Sequence, residues 1–298
     1  MTRAEVGAPD TEGGGPFASR RGAISRAGLF QASNLWLNRL VVGLRLVHQG
    51  IWLGVSDRDA LHDMTERHYA SSGEYADPGY NTAGLRAWEL LVIDRFFGTC
   101  RSVLVGAAGA GREVIVLARR GIQVDAFECC PALVEASRGV LARESVAARI
   151  GQAAPDEVPE NLGTYDGAIL GWGGYTHVQG RAARVRLLRE LRGHVRPGGP
   201  LMLSCIPRRA GPSAEHAYRL LLAIARGLRR LRRSREPIEL GDTLPDAFVH
   251  RFSREEIRQE LEATGFRLAY YAEEEYGVAV GMAVDAAART LQPREAGQ

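Results

Sequence analysis

The feature that most constrains this chain is the run Val103-Leu104-Val105-Gly106-Ala107-Ala108-Gly109-Ala110-Gly111. Its apolar start predicts a short buried strand, Ser102 to Gly106. Its glycines permit a tight turn and let the backbone approach a ligand closely. A helix is expected next, over Arg112 to Arg120. Strand, glycine loop and helix in that order open a parallel α/β sheet. Glu128 follows Gly106 by about 22 residues, at the end of the predicted second strand Gln123 to Glu128. A carboxylate at that strand end can accept hydrogen bonds from both hydroxyls of a ribose. The dinucleotide fingerprint G-x-G-x-x-G/A fits neither frame. Counted from Gly106 its third position is Ala108, and counted from Gly109 its sixth is Val114.

The alternation continues down the chain. Pro131 begins a helix where a missing N–H costs nothing. Strands are predicted over Ala148 to Gly151, Asp166 to Leu170 and Leu201 to Cys205. Ala182 to Val195 and Ala214 to Arg233 read as helices, the second with Leu221, Ile224, Leu228 and Leu231 on its apolar side. Ser253 is placed to cap a helix over Glu255 to Thr264. Strands near Phe266 to Ala272 and Val278 to Val284 close the sheet. Before residue 98 the spacing is helical. Ser33 is placed as a helix cap ahead of Leu35, Leu40, Val41 and Leu44, and Trp36 to Val55 reads as amphipathic. Trp88, Leu91, Val92 and Phe96 form a second stripe. Tyr69 to Tyr80 reads as a loop. The expected organisation is a flexible tail over 1–32, a helical cap over 33–97 and a ligand-binding domain over 98–298.

Several of these motifs together resemble the class I S-adenosylmethionine (SAM)-dependent methyltransferases, over roughly residues 101 to 285. That family's first loop reads acid-x-Gly-x-Gly-x-Gly. Gly109 and Gly111 match its last two glycines, Ala107 stands at the first, and Val105 stands where the acid is common. Phe127-Glu128-Cys129-Cys130-Pro131 is similar to the family's strand-acid-x-x-Pro. Tyr165-Asp166-Gly167-Ala168-Ile169-Leu170, Arg196-Pro197-Gly198-Gly199 and Thr264-Gly265-Phe266 match later signatures in the right order. The resemblance implies an α/β fold: a Rossmann-like, seven-stranded, mostly parallel sheet with helices on both faces, plus the N-terminal helical cap. It implies SAM as cofactor and a small or medium-sized methyl acceptor. The cofactor residues it points to are Gly106, Ala107, Ala108, Gly109, Gly111, Glu128, Cys129, Gln152, Ala153 and Gly171. Gln152-Ala153 stand where adenine is read, and Cys129 and Cys130 are expected to pack beside the adenosine. Tyr80, Trp172 and Tyr175 are placed in the acceptor pocket. His250 and His177 are the candidate bases, since imidazole titrates near neutrality.

Composition excludes other chemistries. The chain has no lysine, so neither a P-loop nor a pyridoxal Schiff base is available in its usual form. Cys100, Cys129, Cys130 and Cys205 form neither a disulfide framework nor a metal pattern, and no metal is expected. They fit a reducing cytoplasm. No signal peptide and no membrane span are expected, since Arg39, Arg45, His48 and Gln49 interrupt the most apolar segment. A formal net charge of +3 gives no case for a nucleic-acid partner. The run Arg229 to Arg233 is expected to be a solvated helix face. Two rival functions stay open: an aminopropyltransferase-like enzyme, and a non-catalytic SAM-binding scaffold.

Overall fold

The computed structural model describes residues 25–273 and 276–285; of the tail expected over 1–32, residues 1–24 lie outside them. Two compact units divide between Leu44 and Arg45. The described part of the first is helical throughout, the opening stretch of α1 (Arg26–Val55). The helix therefore starts earlier than the cap proposed at Ser33. Ser25 takes that place, its hydroxyl accepting from the Gly28 N–H at 3.1 Å. Ser33 sits mid-helix and donates to the Phe30 carbonyl at 2.8 Å. Good helix formers between them, Ala27, Leu29, Gln31 and Ala32, carry the helix through.

In the second unit α2 (Arg58–Ser71) is capped by Asp57, whose side chain accepts from the Ala60 N–H at 2.9 Å. The stretch read as a loop is largely helical. After the end of α2 come α3 (Gly73–Ala76) and α4 (Pro78–Thr82). Asp77 accepts from the Tyr80 N–H, and Pro78 supplies a first helical residue that needs no donor. Buried Asn81 donates to the carbonyls of Tyr75 and Asp77, both at 2.9 Å, and so ties the two short helices together. The last helix before the sheet is α5 (Ala87–Phe96).

The sheet follows the predicted alternation. Its elements are β1 (Ser102–Gly106), α6 (Arg112–Arg119), β2 (Gln123–Glu128), α7 (Pro131–Arg143), β3 (Ile150–Gln152) and β4 (Gly167–Leu170). Then come α8 (Arg181–His194), β5 (Pro200–Pro207), α9 (Pro212–Leu231), β6 (Asp242–Thr243), β7 (Val249–Phe252), α10 (Arg254–Ala263), β8 (Phe266–Glu273) and β9 (Gly277–Ala283). The order β3-β2-β1-β4-β5 is parallel, and β9 lies antiparallel between β5 and β8. Those are the seven expected strands. The small β6–β7 hairpin, which pairs with the end of β5, was not foreseen.

Side-chain alternation splits the interior in two. Val103, Val105, Ile169 and Met202 pack with α5 and α6, whereas Leu104, Ala168, Leu170, Leu201 and Leu203 pack with α8 and α10. Strands buried on both faces explain the unbroken apolar runs. At their N-terminal ends Asp166 accepts from the N–H groups of Arg101 and Ser102, so the Tyr-Asp signature is a brace remote from the glycine loop. In the basic run Arg230, Arg232 and Arg233 are exposed, as expected of a solvated face, and only Arg229 departs from it. It is 6% exposed and donates to the carbonyls of Leu53 and Ser56, filling the C-terminal end of α1. Leu231, expected on the apolar side, is exposed. No described helix is long and apolar enough to cross a membrane.

Under β7 lies a buried ionic knot. Arg184 donates to both oxygens of Glu260 and to Glu239, and the Tyr175 hydroxyl donates to Glu260 at 2.6 Å. Glu260→Leu strands the Arg184 guanidinium without its main partner, so we expect a loss of about 3–5 kcal/mol in urea unfolding. A loss below about 1 kcal/mol would mean that water reaches Arg184 and the knot is not dry.

Candidate active site

The C-terminal ends of β1, β2 and β4 open into a cavity of about 1190 Å³ including its mouth. Its size is on the scale of sites for cofactor-sized ligands. Ala107, Ala108 and Gly109 form one wall, Glu128, Cys129 and Cys130 a second, and Ala153 to Glu157 a third. Gly171, Trp172 and Gly174 follow β4, and His62, Tyr69, Tyr75, Tyr80 and Asn81 come from α2 to α4.

Glu128 organises the floor. Its side chain is almost fully buried, with Oε2 accepting from the Gly109 N–H at 2.9 Å. Oε1 accepts from the N–H groups of Cys129 and Cys130 at 2.8 and 2.9 Å. Carboxylate oxygens have further lone pairs, so these bonds leave acceptor capacity for a ligand's hydroxyls. The loop is left-handed at Ala107 (φ 52°) and Gly109 (φ 54°), and a Cβ built on Gly109 meets nothing within 4 Å. Its backbone therefore fronts open space. Ala107, where the resembling family has glycine, carries the conformational cost of a side chain there. Trp172 (φ 34°) is the matching strained residue across the cavity.

A second buried ionic group supports this wall. Arg112 donates to both oxygens of Glu89, at 2.6 and 2.7 Å, and to Glu113 at 2.9 Å. Burial raises the Glu113 pKa, opposed by the neighbouring Arg112 charge. Arg112 lies 4.5 Å from the Trp172 ring centre, and Arg86 lies 4.6 Å from it. Trp172 is thus held by two cations and by the ring of Tyr276 at 4.8 Å.

Five of the expected site residues, Tyr175, His250, Gly106, Gly111 and Gln152, fall elsewhere. Tyr175 is fully buried, stacked at 5.1 Å on Phe252, with its hydroxyl on Glu260, so it shapes the core and not the pocket. His250 is also fully buried and lines neither of the two cavities described here; its Nδ1 lies 2.6 Å from Asp242 Oδ1. Glu239, Asp242 and His250 bring possible ligand atoms within 4.8 Å of one another. Arg184 holds Glu239, and the Glu239 N–H donates to Asp242, which accounts for that group as an ionic network. Gly106, Gly111 and Gln152 do not line the cavity. Gly106 packs where a Cβ would reach 2.6 Å from Phe127, Gly111 starts α6 at φ 109°, and Gln152 is exposed on β3. The remaining expected residues, Ala107, Ala108, Gly109, Glu128, Cys129, Ala153, Gly171, Tyr80, Trp172 and His177, are brought together.

His177 lies on a single helical turn, Gly174–His177, after β4. Its Nδ1 is 2.6 Å from the Phe248 carbonyl and its Nε2 is 2.7 Å from the Tyr69 hydroxyl. A carbonyl only accepts, so Nδ1 carries the hydrogen, and the Nε2 lone pair of the neutral ring takes the Tyr69 proton. Burial lowers the His177 pKa, against a raising contribution from the Phe248 bond. Burial likewise pushes up the Tyr69 phenol. The pair is half legible in the sequence: His177 stands in the loop after the fourth strand, whereas no local pattern points to Tyr69, Tyr75, Glu89, Arg112, Glu113 or Asp156. The Asp156 side chain is buried, and hydrogen bonds from His62 and Arg58 outweigh that burial and hold its carboxyl below the usual range.

A second cavity of about 560 Å³ lies against the first, sharing Tyr69, Tyr75, Trp172 and His177 with it and adding His68, Ile206, Pro245, Asp246, Ala247, Val249 and Tyr276. The pH dependence of stability tests the His177 assignment. Its folded pKa is depressed, so its contribution is intact above the unfolded value, about 6.5, and is lost as pH falls below that. Wild-type unfolding free energy should fall towards acid with an extra slope of up to about 1.4 kcal/mol per pH unit compared with His177→Gln. Parallel curves between pH 7.5 and 5 would show that His177 protonates freely in the folded protein.

No family model and no curated protein matches the sequence. Solved structures do match the fold. A SAM-dependent methyltransferase from Methanosarcina mazei superposes with a TM-score of 0.55 at 16% identity, covering 67% of this chain and 99% of its own. The 1,6-didemethyltoxoflavin-N1-methyltransferase of Burkholderia thailandensis, solved with its substrate and S-adenosylhomocysteine, gives 0.54 at 17% identity over 78% of this chain and 92% of its own. The strand order, the glycine loop and these superpositions agree: the chain has the Rossmann-like fold of the class I SAM-dependent methyltransferases.

Proposed function

We propose that this protein transfers a methyl group from SAM to a small-molecule acceptor. The observation that carries the reading is Glu128 buried against the left-handed Ala107–Gly109 loop on the floor of a cofactor-sized cavity. The donor set fits the ligand. Glu128 offers acceptor lone pairs to ribose hydroxyls, the open backbone at Gly109 admits the methionine portion, and Ala153 to Glu157 wall the base. When bound, SAM supplies an electrophilic methyl carbon on a sulfonium. The fold neighbours support the coarse reading, and the Burkholderia enzyme holds 1,6-didemethyltoxoflavin beside S-adenosylhomocysteine.

The second cavity is assigned to the acceptor, because it shares one wall with the first. Holding the acceptor in line with the donor supplies on the order of 7–11 kcal/mol by positioning alone. Trp172, clamped by Arg86, Arg112 and Tyr276, and Tyr75 form that positioning wall. For a hydroxyl acceptor, the proton leaves to the Tyr69 oxygen while the Tyr69 proton moves to His177 Nε2. This assigns the base role to His177 and leaves His250 without one. Asp246 is the one carboxylate among the described residues lining the second cavity, which gives no support to a polyamine acceptor and hence to aminopropyl transfer. The four free cysteines suit the cytoplasm.

Glu128→Ala is the test of the cofactor site. Titration calorimetry with S-adenosylhomocysteine should show binding to the wild type and a loss of about 1.5–3 kcal/mol in the variant. Equal affinity in both proteins removes Glu128 from the site. Failure of the folded wild type to bind either SAM or its product removes the function.

A further inference from the structure

Glu113 is a buried carboxylate on the cavity wall to which the cofactor reading assigns nothing. It stands in the first turn of α6 and is 2% exposed, yet it lines the cofactor cavity. Its pairing is incomplete. The Arg112 guanidinium gives one bond to each oxygen of Glu89, and only Nη2 also reaches Glu113 Oε1, at 2.9 Å. Apart from the N–H of Glu113 itself, Arg112 is the sole donor to that carboxylate among the described residues. With both carboxyls ionised, one guanidinium leaves the group a surplus negative charge. Burial and the Glu89 charge, together stronger than Arg112, hold the Glu113 carboxyl above the usual range. A buried charge without a full partner is costly, and a cation carried in by a ligand relieves that cost.

The strand order tells which part of the ligand reaches it. β3, β2, β1 and β4 are neighbours in that order. The base wall, Ala153 to Glu157, follows β3, the ribose carboxylate Glu128 ends β2, the glycine loop leaves β1, and Gly171 follows β4. SAM is laid out in the same sequence: base, ribose, sulfonium, then the amino-acid end. With base and ribose placed as above, the amino-acid end falls on the β4 side of the loop. Glu113 is there, since a Cβ on Gly171 would lie 2.9 Å from its Oε1 and 3.4 Å from the Ala107 carbonyl. The other carboxylates of the cavity stand elsewhere. Asp156 and Glu157 belong to the base wall, and Glu66, exposed on α2, acts on Cys130 after β2. The sulfonium has no hydrogen to donate, whereas an ammonium has three. We propose, resting on the SAM reading above, that Glu113 receives the α-ammonium of the cofactor and so selects ligands that carry an amino group at that end.

The test compares two ligands on the full chain by titration calorimetry. One is S-adenosylhomocysteine, the other its deaminated analogue, in which hydrogen replaces the amino group. Wild type should bind the first about tenfold to a hundredfold more tightly, the range for a hydrogen bond to a charged group. Glu113→Gln keeps the shape of the side chain and leaves Arg112 its two bonds to Glu89, so circular dichroism should be unchanged. In that variant the two affinities should come within about threefold of each other, chiefly through weaker binding of S-adenosylhomocysteine. Should the variant fail to fold, Gly171→Ala takes its place, because the new methyl displaces the Glu113 carboxylate; the ratio between the ligands should fall there too. Equal wild-type affinity for both ligands overturns the proposal. So does a variant that keeps the wild-type ratio, which would make Glu113 a brace for the wall and no more. Both of those results leave the SAM reading standing, and that reading fails if the folded wild type binds neither ligand.

Discussion

The site depends on one carboxylate held by three backbone amides. Removing an unpaired carboxylate from water is costly enough that such a group would normally pick up a proton instead. Glu128 is not left unpaired: the chain turns at Cys129 and Cys130 and aims two N–H groups back at Oε1, while the glycine loop aims a third at Oε2. The same bonds fix the loop relative to β2. Gly109 reaches Oε2 from a left-handed conformation (φ 54°), and a Cβ there would meet open space. Binding surface and structural brace are therefore the same few atoms.

Around that floor, the two ionic groups serve different halves of the interior. Arg112, Glu89 and Glu113 tie α5 to α6 in the core cluster that includes Val103, Val105 and Trp172. Arg184, Glu260, Glu239 and Tyr175 tie α8 to α10 in the cluster that includes Leu104 and Phe252. Both stand beside the segment that follows β4. A Cβ on Gly171 would lie 2.9 Å from the Glu113 carboxylate, and Tyr175 reaches Glu260. The strained Trp172 thus sits between two anchored residues. Strain of this kind persists where neighbours over-determine it, and it commonly marks a site that needs a fixed geometry.

The sheet was legible because its signals are local. Apolar runs bounded by glycine and proline fall where the strands do, and Ser253 with Glu256 forms the capping box that starts α10. The cofactor floor was legible for the same reason: Gly109 and Glu128 occur in fixed relation to strands that could be placed. What escaped depends on contacts between distant segments. Tyr69 and His177 are 108 residues apart, and Arg112 and Glu89 are 23 apart. No periodicity encodes such pairs. His250 and Tyr175 were misplaced because a polar aromatic residue near a strand end reads the same whether it faces a cavity or a buried partner. Here Asp242 and Glu260, on other elements, decide it. Tyr69 to Tyr80 was read as irregular because its helices are only one turn long, and side-chain caps from Asp77 and Asn81 sustain them where length cannot.

The central claim is that the Glu128 floor and the cavity above it are one cofactor site. Hydrogen–deuterium exchange with and without S-adenosylhomocysteine tests it segment by segment. The account predicts slowed exchange at Ala107 to Gly111, at Cys129 and Cys130, across Ala153 to Glu157 and at Gly171 to Gly174, with α9 unchanged. Saturating ligand that leaves the glycine loop and the end of β2 exchanging as in the free protein would contradict it.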